Sequence, residues 1–157
     1  DDNPKLDALL QLIDQMPVSA KMVVYHEFTP TGKAICKALD KLEIGYVRLW
    51  SGTKDKAQVL NEFMGSKKCI ILVANWRSGS KGLNLQVANY VVFIESPVSP
   101  IDREQCEKRC HRRGQTKSHV FFYDIIMKNS MDKKIKMYLK EGKDLFRHLI
   151  DGEESWD

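Results

Sequence analysis

The chain has 157 residues, of which 43% are hydrophobic and 29% are charged, and its formal net charge is +4. This composition indicates an ordinary globular domain that is long enough for one sizeable core. The longest apolar runs are about five or six residues, so the sequence predicts neither a membrane span nor a signal peptide. The mild positive charge permits nucleic-acid binding without requiring it.

The first half of the chain alternates helix and strand patterns. Residues 4–16 place apolar side chains at helical spacing, with Pro4 where a helix start tolerates proline. A short β-rich run over 22–25 is followed by a helix that opens at Thr29 and stops at Gly45. A second strand is predicted over 46–50 and a third helix over 54–65.

The second half repeats this alternation. Residues 69–74 form a fully apolar run, typical of a strand that is buried on both faces of a sheet. We predict a further strand at 90–94, a helix at 101–113 ended by Gly114, a strand at 120–126 and a lysine-rich helix at 130–150. Residues 1–150 are therefore predicted to form one domain, followed by an acidic tail over 151–157.

The order of elements predicts an α/β fold, a doubly wound and mainly parallel sheet with helices on both faces. Ligands of such folds bind at the carboxyl ends of the strands, in the loops that lead into helices. The loops at 27–29, 51–53, 75–82 and 95–100 are therefore the candidate surface.

The helix predicted over 101–113 carries a basic face. Gln105, Arg109 and Arg112 are spaced at i, i+4 and i+7, which places them on one side of a helix. Two guanidinium groups side by side are planar forked donors suited to phosphate oxygens. The alternative is a solvated basic surface with no specific ligand.

Other residues of this helix are expected to have lesser roles. Arg103 is flanked by two acidic residues and should tolerate substitution. Cys106, Cys110 and His111 could be zinc ligands, but a structural site needs a fourth ligand at a recognisable spacing, and the sequence offers none. Without a CxxC pair or a secretory context, the cysteines favour a reducing compartment.

The segment 76–86 follows the buried strand and is rich in glycine and serine. Such a loop can approach a phosphate through its backbone N–H groups, although a tight structural turn is the simpler alternative. It is not a Walker A loop, because the GxxxxGK[ST] spacing is absent from the whole sequence. This domain alone therefore does not cradle a triphosphate.

This loop and the basic helix together resemble conserved motifs of a known family. The run from Ser78 to Leu85 is similar to the fifth conserved motif of superfamily-two helicases, and Gln105-x₃-Arg109-x₂-Arg112-x-Gly114-Gln115 resembles the sixth motif in its Swi/Snf form. The fourth-motif region, at 22–29 and 50–63, is similar too. The resemblance covers nearly the whole chain and identifies it as the C-terminal RecA-like lobe of a Swi/Snf-type ATP-dependent DNA translocase or helicase.

The resemblance implies an ATP hydrolase that is complete only with a first, N-terminal RecA-like lobe of the same protein. ATP and Mg²⁺ would be held mainly by that lobe, so this chain alone should be inactive. Arg109 and Arg112 would be the catalytic arginine fingers that reach the γ-phosphate. Gly82, Asn84 and Gln105 would lie near the nucleotide.

The same resemblance implies contacts with the phosphate backbone of double-stranded DNA. The expected DNA-binding residues are Thr29, Ser51, Gly52, Ser78, Gly79 and Ser80. Their loops lack the side-chain pairs that read base edges, so binding should not depend on sequence. We expect no membrane partner and an intracellular protein, in the cytoplasm of a bacterium or an infected host, or in a nucleus.

Some positions depart from the family pattern. Ser80 replaces a usual glycine, Val98 replaces a usual tryptophan, and Lys56 stands where an arginine is common, which favours a divergent viral or bacterial branch. Two alternatives remain: the equivalent lobe of an RNA helicase, disfavoured by Gln115 where those enzymes carry arginine, and a non-enzymatic α/β module that binds a nucleotide or a protein.

Overall fold

The computed structural model describes residues 3–77, 83–111, 119–127 and 131–142. Within these residues the chain forms five strands and five helices. The strands are β1 (Met22–His26), β2 (Tyr46–Leu49), β3 (Ile71–Asn75), β4 (Tyr90–Phe93) and β5 (Phe121–Asp124). The helices are α1 (Pro4–Gln15), α2 (Thr29–Lys41), α3 (Lys56–Gly65), α4 (Pro100–Cys110) and α5 (Met131–Glu141).

The five strands form one sheet in the order β2-β3-β1-β4-β5, and all four strand pairings are parallel. The interior strands β1, β3 and β4 are almost entirely buried. This burial explains their uniformly apolar sequences, since a parallel sheet is covered on both faces. The predicted α/β fold with a mainly parallel sheet is confirmed.

Alternate residues of the strands contribute to two separate cores, one on each face of the sheet. On one face, Val23 and Tyr25 pack with residues of α3 and α4, including Phe63 and Cys106. The other core joins the remaining strand residues to α1 and α2. Helices therefore cover both faces, as the sequence predicts.

The parallel register brings the carboxyl ends of the strands to one edge of the sheet. His26 pairs with Asn75, Leu49 with Ala74, and Phe93 with Asp124. The loops after β1, β2, β3 and β4 therefore leave the sheet at the same edge. We call this the carboxyl edge.

Helix α4 is shorter than predicted and does not extend to residue 113. It ends at Cys110, and His111 has a non-helical backbone with φ −95° and ψ 82°. The carbonyl of Arg109, in the last turn of α4, accepts the backbone N–H of Leu85 at 2.8 Å. Tertiary pairing thus satisfies one of the carbonyls that lack a partner within a helix at its end.

Other boundaries shift by a few residues for local reasons. Helix α3 begins at Lys56 because the Asp55 side chain caps it, accepting the N–H of Gln58 at 3.0 Å. Strand β2 ends at Leu49 because the N–H of Trp50 donates to the hydroxyl of Thr53. Helix α5 ends at Glu141, and Gly142 is the last described residue. The rest of the predicted helix, 143–150, and the acidic tail lie outside the described residues, so the domain boundaries stay a prediction.

Among the described residues, none of the helices has the length and apolar character needed to cross a bilayer.

Candidate functional site

The segment that runs from the end of β1 into the first turn of α2, residues 27–31, presents the predicted DNA contact Thr29 at the carboxyl edge. Thr29 is exposed, and Phe28 beside it is 59% exposed. The backbone N–H groups of Glu27 and Phe28 both donate to one carboxylate oxygen of Glu95, at 2.8 and 2.9 Å. The hydroxyl of Thr31 donates to the other oxygen at 2.6 Å. We call residues 27–31 the Thr29 segment.

Helix α2 approaches His26 closely at Gly32, which fixes the position of the Thr29 segment. A Cβ atom at Gly32 would lie 2.5 Å from the His26 ring, so no larger residue fits there without displacement. Burial lowers the pKa of His26, which keeps the ring neutral at physiological pH. Its Nδ1 lies 3.1 Å from the Phe28 carbonyl, which identifies Nδ1 as the protonated nitrogen of the neutral ring.

The loop after β2 is a tight turn whose tip carries two predicted DNA contacts. The N–H of Thr53 donates to the Trp50 carbonyl at 3.1 Å, while the Thr53 hydroxyl accepts from Trp50 N–H at 3.0 Å. Ser51 and Gly52 are exposed at the tip. A Cβ at Gly52 would meet the Trp50 ring at 2.7 Å, so glycine lets the indole fold back over the turn.

The loop after β3 is tied to the Thr29 segment where it leaves the sheet. The Asn75 side chain donates to the Glu27 carbonyl at 2.9 Å, and Arg77 pairs with the Glu27 carboxylate. The remaining predicted contacts of this loop, Ser78, Gly79 and Ser80, lie outside the described residues, as does Gly82.

Two predicted nucleotide contacts, Asn84 and Gln105, are exposed on separate elements. Asn84 lies near the end of the fifth-motif segment, before β4, where its side-chain oxygen accepts the N–H of Gln86 at 3.3 Å. Gln105 lies in the middle of α4, one turn before Arg109. The hydrogen bond between Leu85 and Arg109 joins the element that carries Asn84 to the end of α4.

Arg109, a predicted arginine finger, is held inside this lobe. It is only 8% exposed, and its guanidinium donates to the sulfur of Cys106 at 3.5 Å. Burial raises the pKa of Tyr25 well above its usual range, while the charge and hydrogen bond of Arg109 act in the opposite direction. The guanidinium therefore lies beside the Tyr25 hydroxyl. The second predicted finger, Arg112, lies outside the described residues.

The two cysteines of α4 are buried neutral thiols. Burial raises the pKa of Cys106 to about 11 and that of Cys110 to about 12. Of the residues that the structure describes, no group of three or more His, Cys, Asp or Glu could hold a metal ion.

Arg103, which the sequence predicts to tolerate substitution, has more partners than its sequence neighbours indicate. It is 8% exposed, and its guanidinium donates to both carboxylate oxygens of Asp124 at 2.6 and 3.0 Å. It also donates to Glu107 and to the hydroxyl of Ser96, and lies 3.6 Å above the Phe93 ring centroid. Glu107 lies one turn further along α4, whereas the other partners come from β4, β5 and the loop after β4 and are not revealed by the acidic sequence neighbours of Arg103.

The chain matches the sequence-family model of the helicase conserved C-terminal domain over residues 4–114. The chain belongs to this family. The match covers the sheet from β1 to β4, the fifth-motif segment and the sixth-motif segment as far as Gly114, so the predicted membership is confirmed.

Individual members of the family are similar over most of this chain. The ATP-dependent helicase FUN30 of Saccharomyces cerevisiae is 29% identical over 157 residues, which cover 98% of this chain and 14% of the relative. A Caenorhabditis elegans homologue of the SWI/SNF-related, matrix-associated, actin-dependent regulator of chromatin, subfamily A containing DEAD/H box 1, is 27% identical over 150 residues, covering 94% of this chain and 15% of the relative.

A solved structure, the C-terminal part of the Fun30 ATPase domain, has a TM-score of 0.79 and 30% identity to this chain. The alignment covers 85% of this chain and 44% of that one. The resemblance to Swi/Snf-type helicases that the motifs indicated is therefore confirmed. The chain spans only about one seventh of the two relatives' length.

Proposed function

We propose that this chain is the C-terminal motor lobe of a Swi/Snf-type, ATP-hydrolysing DNA translocase. The observation that carries the proposal is the family match over residues 4–114, because it contains the fifth and sixth motifs in order on a RecA-like sheet. The relatives are named ATP-dependent helicases and chromatin regulators. The hydrogen bond between Leu85 and Arg109, which joins the two motif segments, supports the same assignment.

On the nucleotide side, the chain would complete a site that another lobe of the same protein begins. ATP and Mg²⁺ would be bound mainly by that N-terminal lobe, while Arg112 and Arg109 would stabilise charge on the transferred phosphoryl group. An arginine supplied from a second body can increase the rate of phosphoryl transfer by ~10³–10⁵. Gly82, Asn84 and Gln105 would line the nucleotide on this side of the cleft.

On the polymer side, the exposed hydroxyls and small residues of the carboxyl edge would contact DNA phosphates. Thr29, Ser51 and Gly52 are exposed there, and Ser78, Gly79 and Ser80 belong to the adjoining loop. Phosphate contacts position a protein on duplex DNA without reading its sequence. Affinity of the lobe alone should be in the non-specific range, ~10⁻⁴–10⁻⁶ M, and should fall as salt rises.

The partners that follow from this proposal are the N-terminal RecA-like lobe and double-stranded DNA of any sequence. The protein would act inside a cell, where its nucleic-acid substrate and ATP are found.

The proposal is tested with the two-lobe protein that contains this chain, by measuring ATP hydrolysis with duplex DNA, with RNA and with neither. Duplex DNA of any sequence should stimulate turnover. Thr29→Ala and Ser51→Ala should each lower the DNA-stimulated rate while leaving the basal rate nearly unchanged. The matched control is Ser19→Ala, an exposed hydroxyl that precedes β1 at the opposite edge of the sheet.

The outcomes separate the alternatives. Stimulation by RNA alone would identify the lobe of an RNA helicase instead. A protein that hydrolyses no ATP under any condition would favour the non-enzymatic module. If Ser19→Ala reduced stimulation as much as Thr29→Ala, the carboxyl edge would not be the DNA-binding surface.

A further inference from the structure

Glu95 connects the Thr29 segment to the rest of the lobe through one carboxylate. It follows Ile94, whose backbone N–H still pairs with the Tyr25 carbonyl at 3.0 Å, so its own backbone leaves the sheet beside β1. Its two carboxylate oxygens accept three hydrogen bonds of 2.6 to 2.9 Å, all from the Thr29 segment. Hydrogen bonds to a charged acceptor are roughly twice as strong as neutral ones.

The start of helix α2 explains why an acceptor is needed there. Its N-cap residue is Phe28, which forms no side-chain capping hydrogen bond. The first backbone N–H groups of a helix lack partners within the helix and are usually capped by a local Ser, Thr, Asp or Asn. Glu95 instead binds the entry to α2 from 67 residues away in the sequence.

The loop after β4, which carries Glu95, is also fixed to α4. Ser96, adjacent to Glu95, accepts a hydrogen bond of 2.9 Å from Arg103. Arg103 is in turn held by Asp124 and by the Phe93 ring. Two consecutive residues therefore bind the Thr29 segment on one side and the helix of the sixth motif on the other.

We infer that Glu95 is a positioning residue, which holds Thr29 in register with α4 so that DNA contact is communicated to ATP hydrolysis. This inference rests on the proposed function. Glu95 places a negative charge beside the proposed path of a polyanion, which by itself disfavours DNA binding. Its geometry, rather than its charge, is therefore the property that serves the activity.

Two substitutions separate geometry from charge. Glu95→Gln removes the charge but can keep all three contacts, since the amide oxygen can accept from both backbone N–H groups and the amide nitrogen can donate to Thr31. Glu95→Ala removes the charge and every contact. In the two-lobe protein, Glu95→Ala should lower the DNA-stimulated part of kcat about tenfold, because small displacements of a positioned group are costly. Glu95→Gln should retain most of the stimulation.

Basal turnover should be unchanged in both variants, and the DNA dissociation constant should change less than the stimulated rate. The matched control is Glu104→Ala, which removes the same charge from an exposed position of α4 paired only with Lys108 among the contacts in this part of the structure. If Glu95→Ala and Glu95→Gln lowered the DNA-stimulated rate equally, the loss of charge and not the loss of position would be the cause. Loss of basal turnover in step with stimulated turnover would also overturn the inference.

Hydrogen–deuterium exchange gives a readout that does not depend on DNA. Backbone amides of the Thr29 segment should exchange faster in Glu95→Ala than in Glu95→Gln or the parent protein. Unchanged exchange in Glu95→Ala would overturn the positioning role. If the parent protein showed no stimulation by DNA, the proposed function would fail, while the exchange comparison would still decide whether Glu95 holds the segment.

Discussion

The backbone N–H of Leu85 donates to the carbonyl of Arg109 across 2.8 Å. Leu85 is fully buried and is the last residue of the fifth-motif segment, while Arg109 occupies the last turn of α4 in the sixth motif. The bond pairs a carbonyl at the end of the helix and joins the two motif segments through the main chain. With its side chain against Cys106 and Tyr25, Arg109 is anchored at both its backbone and its guanidinium.

This anchoring gives the two predicted arginine fingers different expected phenotypes. Arg112→Ala should lower kcat of the two-lobe protein at least ~10²-fold with little change in ATP affinity, since such an arginine acts mainly in the transition state. Arg109→Ala should lower kcat and also destabilise the lobe by about 2 kcal/mol, because it removes a buried, hydrogen-bonded charge. Steady-state kinetics and thermal unfolding measure the two effects.

The matched control for both is Lys108→Ala. Lys108 lies on α4 next to Arg109 but is exposed and paired with Glu104 at 2.9 Å, so its loss should change neither quantity appreciably. Equal losses of kcat in all three variants would show that α4 is only a basic surface. A purely structural Arg109 would lower stability and leave kcat of the folded protein unchanged.

The sequence predicts the sheet well because apolar strands such as Ile71–Asn75 are defined by their own composition. The same reasoning places Ser51 and Gly52 in a loop at the carboxyl edge and Thr29 at the start of α2 beside it. This reasoning does not reveal the environment of Arg103 on α4, because its partners Asp124 and Phe93 lie on strands β5 and β4. The sequence also misses the end of α4 at Cys110, where the carbonyl of Arg109 pairs with Leu85, a partner that no local pattern reveals.

Arg103 and Asp124 form a largely buried ion pair whose loss should be costly. Their side chains are 10% and 16% exposed, and two hydrogen bonds join them. Removing one partner of such a pair typically costs 3–5 kcal/mol because the other charge is left uncompensated. We therefore expect Arg103→Ala and Asp124→Ala each to destabilise this lobe by about 3 kcal/mol, and the double variant by clearly less than the sum.

A double-mutant cycle in urea measures this coupling. The exposed pair Glu104–Lys108, whose side chains are 64% and 69% exposed, is the matched control and should show coupling below about 0.5 kcal/mol. Additive effects of Arg103→Ala and Asp124→Ala would show that the observed pair contributes no specific interaction energy.

The 157-residue chain by itself should fold and yet hydrolyse ATP no faster than a buffer control. Its sequence has no Walker A loop, and the arginines proposed here act on a triphosphate that another lobe holds. Phosphate release from the purified chain, with and without duplex DNA, tests this. Turnover that co-purifies with the chain and is abolished by Arg112→Ala would contradict the assignment of a half-site.

Alkaline pH should destabilise the lobe through the thiols of α4. The pKa is raised to about 11 for Cys106 and about 12 for Cys110, whereas an unfolded thiol ionises near pH ~8.5. Between about pH 8.5 and 11 the folded state therefore binds more protons than the unfolded state, so the free energy of unfolding falls as pH rises. The stability that these two thiols provide is fully present below about pH 8.5. Above that pH, each thiol can lower the free energy of unfolding by up to ~1.4 kcal/mol per pH unit.

Urea unfolding under reducing conditions at pH 8.0, 9.0 and 9.8 measures the slope. Other groups titrate in this range too: burial raises the pKa of Cys69 in the same sense and lowers that of Lys21, which acts in the opposite sense. The comparison is therefore between the parent and the Cys106→Ala/Cys110→Ala variant. The variant should be less stable at pH 8.0, because it loses buried volume, but its stability should fall less steeply with pH. Equal slopes would show that these two thiols do not govern the alkaline transition.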